Sequence, residues 1–209
     1  EYLKEVAKIN ELGKDEDHGG FLSNLYDKVD FIDSAQAAAP YLNNTKYKVY
    51  ALIAPAIVSQ CRYGRVTQVV TAIRKLGFHQ VIEVALGADV TLFHEAQEFK
   101  EKGIMTTSCC PSFVMYIEKY FPELVKYISS SPSPMVETAL LIKRSDPTAK
   151  IIFIGPCASK KLEYKMPRDM GVIDSVMSFE ELQAFVDARG IDTTAMEDTE
   201  LDNASFYGR

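Results

Sequence analysis

The chain has 209 residues, of which 47% are hydrophobic and 25% are charged, and this composition is ordinary for a globular protein with one substantial core. A net charge of −6 without a basic patch argues against a nucleic-acid partner, and no apolar run approaches the roughly 18–20 residues needed to cross a membrane. Four cysteines are too few for a disulfide-stapled secreted domain, so we expect a reducing, cytoplasmic location without a membrane partner.

The first part of the chain, residues 1–46, is predicted to be a helical N-terminal extension or linker. Residues 1–12 show a helical pattern with nothing before it, and a polar break follows at residues 13–20. The last residues form a turn-like stretch with no closing element. We therefore expect the chain to be a fragment, truncated at its C-terminus.

Residues 47–209 predict an α/β fold with a mainly parallel sheet flanked by helices, because strand patterns alternate with amphipathic helix patterns. Predicted strands cover 48–54, 81–84, 104–107, 151–154 and part of 171–177. Predicted helices cover 66–76, 89–101, 111–128, 134–144 and 179–189. Asp89 is expected to cap the second of these helices, and Gly77 to end the first. We expect the acidic tail after Gly190 to order only against residues outside the chain.

Three cysteines stand at predicted helix starts. Cys109 and Cys110 precede Pro111, and Cys157 follows Gly155 and Pro156 after the most apolar predicted strand. Backbone N–H groups at a helix N-terminus favour a thiolate, which is a good soft metal ligand. Open α/β sheets bind ligands beyond the carboxyl ends of their strands, so both turns are expected to face one crevice.

Other interpretations of these cysteines are weaker. Free cysteines are often small buried hydrophobes, and Cys61 is interpreted in that way. The chain lacks the Cys-x-x-Cys and His-x-x-x-His spacings of zinc knuckles and thiol–disulfide enzymes, and His18, His79 and His94 suggest no common site. Glycine-rich phosphate-binding loops are also absent.

Two segments carry a family resemblance. Thr107–Phe113 (TSCCPSF) resembles the first signature of the iron-only (FeFe) hydrogenase catalytic domain, and Gly155–Glu163 (GPCASKKLE) resembles the second. The pieces between them occur in the family's order: residues 54–56 (APA), 87–91 (GADVT) and 129–134 (SSSPSP). The resemblance spans roughly residues 47–209 and implies an iron-only hydrogenase catalytic-domain-like fold.

The resemblance implies a cofactor, the H-cluster, in which a 4Fe–4S cubane is bridged through a thiolate to a diiron subsite bearing CO and cyanide. It makes Cys110 and Cys157 two of the four cubane ligands, in keeping with the preference of iron–sulfur clusters for thiolates. The other two ligands belong to a third signature expected beyond Arg209. We therefore expect the cofactor to be absent or incomplete in this chain.

The resemblance also implies roles for neighbouring residues. Cys109 would pass protons to the diiron subsite, with Glu95, Glu98 and Ser129 on the proton path. Lys160 would hydrogen-bond a cyanide and Glu163 would orient neighbours of the site. Further residues would border the cofactor: Pro55, Ala56 and Pro156. By spacing alone, Glu95 and Glu98 would be solvated helix residues, and Lys160 and Glu163 would be part of an exposed helix face.

Three residues depart from the well-studied members of the family. Gly155 replaces methionine, Phe113 replaces tryptophan, and Met135 replaces glutamine. The glycine removes a side chain that would pack against the diiron subsite, so the pocket is expected to be wetter. Such substitutions resemble the branch proposed to sense hydrogen.

Four functions are therefore compared. The first is reversible reduction of protons to H2, with electrons from ferredoxin or an accessory iron–sulfur domain, after assembly by diiron maturation proteins. The second is an H2-sensing regulatory homologue with low turnover. The third is an iron–sulfur assembly-factor-like protein without the diiron site, a class that usually lacks a thiol at the position of Cys109. The fourth is a metal-free α/β binding domain with buried cysteines.

Overall fold

The computed structural model describes residues 38–42, 45–60, 64–166, 169 and 171–205. Its sheet has four parallel strands: β1 (Val49–Ile53), β2 (Gln80–Glu83), β3 (Lys150–Ile154) and β4 (Ser175–Met177). Their order across the sheet is β2-β1-β3-β4. The prediction of a mainly parallel α/β sheet flanked by helices is confirmed.

Seven α-helices belong to the described part of the chain. They are α1 (Ile57–Gln60), α2 (Val66–Lys75), α3 (Ala85–Lys102), α4 (Pro111–Tyr120), α5 (Pro134–Ser145), α6 (Lys160–Glu163) and α7 (Phe179–Ala188). Short 3-10 segments lie at Ala39–Tyr41, Pro122–Tyr127 and Thr193–Ala195. Within the described residues, no helix combines the length and hydrophobicity that crossing a bilayer requires.

Alternation along β1 builds a separate core on each face of the sheet, because successive side chains of a strand point to opposite sides. Val49, Ala51 and Ile53 belong to a cluster with buried residues of α2 and α7. Tyr50 and Leu52 belong to the opposite cluster, with buried residues of α5. All five residues of β1 are buried, as expected for a central strand covered on both faces.

The carboxyl ends of β1 and β3 lie side by side at the point where the chain changes direction across the sheet. From β1 the chain continues to β2 on one side, whereas β3 leads to β4 on the other. The ladder extends past the strands, because the Ala54 N–H donates to the Ile154 carbonyl at 2.9 Å. Ligand sites of open α/β sheets lie at such switch points. Pro55 and Cys157 both follow this edge in sequence.

Three local predictions differ from the structure. Residues 104–107 form no strand of the sheet; Thr106 makes only an isolated bridge with Ile128. Asp89 does not cap a helix, because α3 already begins at Ala85, and the Asp89 carboxylate accepts a hydrogen bond from the Ser205 hydroxyl. The predicted helix over 111–128 is divided at Phe121, after which Pro122–Tyr127 form a 3-10 segment.

The acidic tail is ordered against the body of the protein, contrary to the expectation. The Asp202 carboxylate accepts from Arg74 and from the Val81 N–H, both at 2.7 Å. Asn203 forms a parallel bridge with Ile82 of the edge strand β2. Residues 202 and 203 therefore satisfy backbone groups on the outer edge of β2.

Some predictions fall on residues that are not described. The extension proposed for residues 1–46 is described only at 38–42 and 45–46, and Cys61 lies outside the described residues.

Candidate functional site

The first cysteine turn lies at the start of α4. Cys110 is the N-cap residue, with extended backbone (φ −108°, ψ 107°), and Pro111 occupies the first turn, where its missing N–H costs nothing. The Cys110 side chain makes no capping hydrogen bond, and both Cys109 and Cys110 are exposed free thiols. The Cys110 sulfur is thus available beside a positive helix end.

The second cysteine turn follows β3. Cys157 is a half-buried free thiol, and its Sγ lies 2.8 Å from the Ser159 hydroxyl oxygen. Ser159 is followed by the short helix α6, which begins at Lys160. Pro55 and Pro156 are exposed and Ala56 is partly exposed, each of them just beyond a strand end.

Lys160 joins the two cysteine turns. Its ammonium donates to the Cys109 carbonyl at 3.0 Å, across 51 residues of sequence. The same Nζ lies 2.5 Å from Oε2 of Glu163, whose side chain is 1% exposed. A buried carboxylate needs such a partner, because burial without one is costly. The contact brings the predicted site residue Cys109 to two others, Lys160 and Glu163, which lie far from it in sequence.

An ammonium has three N–H donors. Two of the Lys160 donors are used by the Cys109 carbonyl and the Glu163 carboxylate, and no acceptor for the third lies among the described residues. The side chain is 12% exposed, so that donor lies in a largely dehydrated environment. The arrangement can bind a small anion close to Cys109.

A second ion pair involves the helix α6, which follows the second cysteine turn. Lys161 Nζ lies 2.6 Å from Oε1 of Glu181, and the two side chains are 3% and 0% exposed. Burial is the main cause that raises the pKa of Glu181 above its ordinary value, and it outweighs the opposing charge of Lys161. Glu181 also accepts from the Ser178 N–H at the start of α7. The pair therefore anchors α6 to α7.

Glu98 and Ser129 are in direct contact. The Ser129 hydroxyl donates to the Glu98 carboxylate at 2.9 Å, and the Ser130 N–H adds a second bond. Lys102, one helical turn along α3, lies 2.6 Å from the same carboxylate. Its hydrogen bond is the main cause that lowers the pKa of Glu98 to about 2, with Ser129 and Ser130 contributing. Glu98 is therefore ionised at neutral pH.

This carboxylate network is connected to the first cysteine turn. Ser129 N–H donates to the Thr106 carbonyl at 2.8 Å, and the Ser108 hydroxyl donates to the Ser131 carbonyl at 2.6 Å. Glu95, also on α3, has a buried Oε1 that meets no hydrogen-bond partner in the described part of the chain. A buried carboxylate oxygen without a partner is costly in free energy.

The departures from the family pattern have a structural context. A Cβ at Gly155 would lie 2.7 Å from two ring carbons of Phe153 and 3.0 Å from the Ala54 Cβ. Phe153 therefore occupies the space that a longer side chain at 155 would need. Met135 is buried beneath the sheet, whereas Phe113 is 37% exposed.

Several contributing residues were not predicted from sequence. Ser159, Lys102 and the Lys161–Glu181 pair have no assigned role in the sequence analysis. Lys102 could have been found, because its i,i+4 spacing from Glu98 is the spacing of helical ion pairs. Glu181 could not, because its contact with Lys161 spans 20 residues and depends on the packing of α6 against α7.

The donor chemistry fits an iron–sulfur cluster, since Cys110 and Cys157 supply two thiols without disulfide partners. Two ligands are fewer than the four that a cubane takes. In the described ranges, no group of three or more Cys, His, Asp or Glu side chains could hold a metal ion. Further ligands would have to come from elsewhere.

Comparison with known proteins gives a consistent result. Residues 47–208 match the family model "Iron only hydrogenase large subunit, C-terminal domain". The chain is 33% identical over 155 residues to iron hydrogenase 1 of Clostridium pasteurianum, covering 66% of the chain and 27% of that protein. It is 32% identical over 194 residues to the periplasmic [Fe] hydrogenase large subunit of Nitratidesulfovibrio vulgaris, covering 78% and 45%.

Two further similarities bear on function. The cytosolic Fe-S cluster assembly factor NAR1 of Kluyveromyces lactis is 36% identical over 93 residues, covering 44% of the chain and 20% of that protein. Among solved structures, a variant of [FeFe]-hydrogenase HydA1 from Chlamydomonas reinhardtii superposes with a TM-score of 0.70 at 26% identity, covering 81% of the chain and 51% of that structure. The chain thus spans about half or less of the length of these relatives.

Proposed function

Because the chain belongs to the family of the iron only hydrogenase large subunit, C-terminal domain, we propose that it forms one side of an iron–sulfur site for the reversible reduction of protons to H2. The observation that carries the proposal is the Lys160–Cys109 contact, which holds the two cysteine turns together at the switch point of the sheet. In this proposal Cys110 and Cys157 are cubane ligands, and the remaining ligands come from outside the described residues.

When bound, the cluster with its diiron subsite supplies the electrons and the site of hydrogen chemistry. Lys160 uses its remaining donor to hold an anionic ligand of that subsite, with Glu163 fixing the ammonium. Pro55, Ala56 and Pro156 border the same edge.

Cys109 is proposed to transfer the proton. Its thiol is exposed, and hydrogen bonds from Ser129 N–H and the Ser108 hydroxyl connect its turn to the segment whose Ser129 hydroxyl donates to Glu98. Glu95, which has a buried carboxylate oxygen without a described partner, is proposed to complete the proton path between Cys109 and Glu98. Glu98 is held ionised by Lys102, so it would accept a proton from solvent only when that ion pair opens.

Partners and location follow the same proposal. Electrons would come from ferredoxin or an accessory iron–sulfur domain, and diiron maturation proteins would assemble the subsite. We propose a cytoplasmic location, although one relative is named as periplasmic.

A specific observation favours a second candidate. The similarity to NAR1 favours an iron–sulfur assembly factor that keeps a cubane and lacks the diiron subsite. The exposed Cys109 thiol favours the hydrogenase instead, because an assembly factor needs no proton donor at that place.

The test is hydrogen–deuterium exchange by the complete protein, produced anaerobically with diiron maturation proteins, beside Cys109→Ala. We expect exchange in the wild type and a loss of at least about 100-fold in the variant, the size of a missing general acid–base group. Cys61→Ala, a cysteine without an assigned role, serves as the control and should keep the wild-type rate. A cubane without CO and cyanide infrared bands and without exchange would leave the assembly-factor function. Slow exchange in a fully loaded protein would favour the H2 sensor.

A further inference from the structure

Among the described residues, the contact of the Ser159 hydroxyl is with the Cys157 sulfur. Ser159 is 1% exposed and precedes α6, yet its side chain makes no capping hydrogen bond. The Leu162 and Glu163 N–H groups of the helix donate to the backbone carbonyl of Ser159, and not to its hydroxyl. The hydroxyl oxygen lies 2.8 Å from Cys157 Sγ. A buried hydroxyl that is not used for capping is therefore directed at the sulfur of a proposed ligand.

The direction of this hydrogen bond depends on the state of the sulfur. Between a thiol and a hydroxyl, either atom can donate. A cysteine that ligates iron is a thiolate and has no proton, so only the Ser159 O–H can then donate. Ligand formation at Cys157 thus makes Ser159 an obligatory donor to the sulfur.

We propose that Ser159 sets the reduction potential of the iron–sulfur cluster by donating this hydrogen bond to Cys157, an inference that rests on the proposed function. Reduction adds negative charge that is shared with the cysteine sulfurs, so a donor to sulfur stabilises the reduced cluster more than the oxidised one. Ser159 is buried away from water. The hydrogen bond is therefore screened less than it would be in water, and its effect on the sulfur is larger. Ser159 therefore raises the potential.

The first cysteine turn contains a matched contact on a cysteine that is not a proposed ligand. Thr107 Oγ1 lies 3.4 Å from Cys109 Sγ, also two residues apart in sequence. Removing the Thr107 hydroxyl changes the same kind of interaction without touching an iron ligand. Thr107→Val is accordingly a control for the potential.

The experiment is an anaerobic redox titration of the complete protein reconstituted with iron and sulfide, followed by the electron paramagnetic resonance signal of the reduced cluster. We expect a more negative midpoint potential for Ser159→Ala than for the wild type. Ser159→Thr, which keeps a hydroxyl, and Thr107→Val should both retain the wild-type potential. Iron content and melting temperature are measured for every variant, so that loss of cluster or fold is recognised.

Each result of the titration either supports or overturns the role of Ser159. Equal potentials in the wild type and Ser159→Ala, at equal iron content, overturn the role of Ser159 and leave the proposed function standing. A more positive potential in Ser159→Ala also overturns it, because that is the effect of water entering a widened pocket rather than of a lost donor. A wild-type protein that takes up no cluster overturns the proposed function, and the inference with it.

Discussion

At the residue scale, lysine side chains are the ion-pair partners of the acidic residues near the site. Lys160 compensates the buried Glu163 and holds the Cys109 carbonyl, while Lys161 compensates the buried Glu181. Each lysine and its carboxylate depend on one another, because removal of either partner leaves an uncompensated charge in a buried environment. The geometry of the cysteine turns thus depends on ion pairs that contain no cysteine.

Glu98 provides a prediction of pH dependence. Its pKa falls from an ordinary value of 4.5 to about 2 in the folded protein, chiefly through Lys102. A lowered folded pKa stabilises the protein above pH 4.5, and this contribution is lost as the pH falls towards about 2. Glu98→Gln should cost about 1 kcal/mol of unfolding free energy at pH 7.

The measurement is the melting temperature of Glu98→Gln and wild type between pH 7 and pH 2. We expect the difference to shrink below pH 4.5 and to vanish near the lower end, as the wild-type carboxylate becomes protonated. Glu101→Gln, at an exposed position of the same helix, should behave as wild type throughout. A difference that stays constant over the whole range would contradict the assignment.

At the element scale, the close packing of α3 on α5 positions the acidic residues. Gly87 allows it, because an added Cβ would lie 2.1 Å from the Pro134 carbonyl oxygen and 2.3 Å from Thr138 Oγ1. The α5 helix starts at this contact, with Ser133 as its N-cap and Pro134 in its first turn. The approach of the two helices therefore brings α3, which carries Glu95 and Glu98, close to the segment that contains Ser129.

Gly87→Ala should separate these two helices. The added methyl group meets a backbone carbonyl that cannot rotate away, so we expect a loss of about 1–3 kcal/mol in chemical denaturation. Gln97→Ala, an exposed position on the same helix, should be neutral or slightly stabilising, since alanine favours helices. A wild-type denaturation midpoint for Gly87→Ala would mean that the helices do not approach as closely as described.

At the scale of the whole molecule, large apolar side chains are exposed on α3, on α4 and in the turn between them, and these residues are called the apolar face below. Exposure reaches 60% at Leu92, 62% at Phe93, 53% at Phe99 and 70% at Ile104, and Tyr116 and Tyr120 add aromatic surface. We expect these side chains to form one patch, and such a patch on a globular protein marks a place where other structure packs. The chain spans 51% of the solved hydrogenase structure on which it superposes, so more of the domain is available in that relative to cover such a face.

The apolar face predicts the behaviour of the 209-residue chain by itself. We expect it to bind the dye ANS and to self-associate as its concentration rises. Phe93→Glu combined with Phe99→Glu should reduce both effects, with a change in unfolding free energy within about 0.5 kcal/mol, because these side chains are exposed. Val58→Glu, 72% exposed outside this face, is the control. Dye binding that is unaffected by the paired substitution would show that the face is not the apolar surface involved.

Local patterns were sufficient for much of the fold. The apolar run at 151–154 and the helical spacing from Val66 to Leu76 correspond to β3 and α2, and Gly77 ends that helix region with φ +108°. The predicted strand over 104–107 was wrong because only Thr106 pairs with another segment, in an isolated bridge with Ile128 outside the sheet. The prediction that Asp89 caps a helix was wrong because its carboxylate instead accepts a hydrogen bond from the Ser205 hydroxyl, 116 residues away.

The sequence by itself determined the alternation of strands and helices, the parallel α/β class and the two cysteine signatures, because these depend on residue spacing over a few positions. Tertiary structure decided which distant groups meet: Lys160 with Cys109, Ser129 with Glu98, and the tail with β2. These contacts depend on the order of strands in the sheet and on how closely helices pack. The spacing of residues along the chain carries no direct record of either.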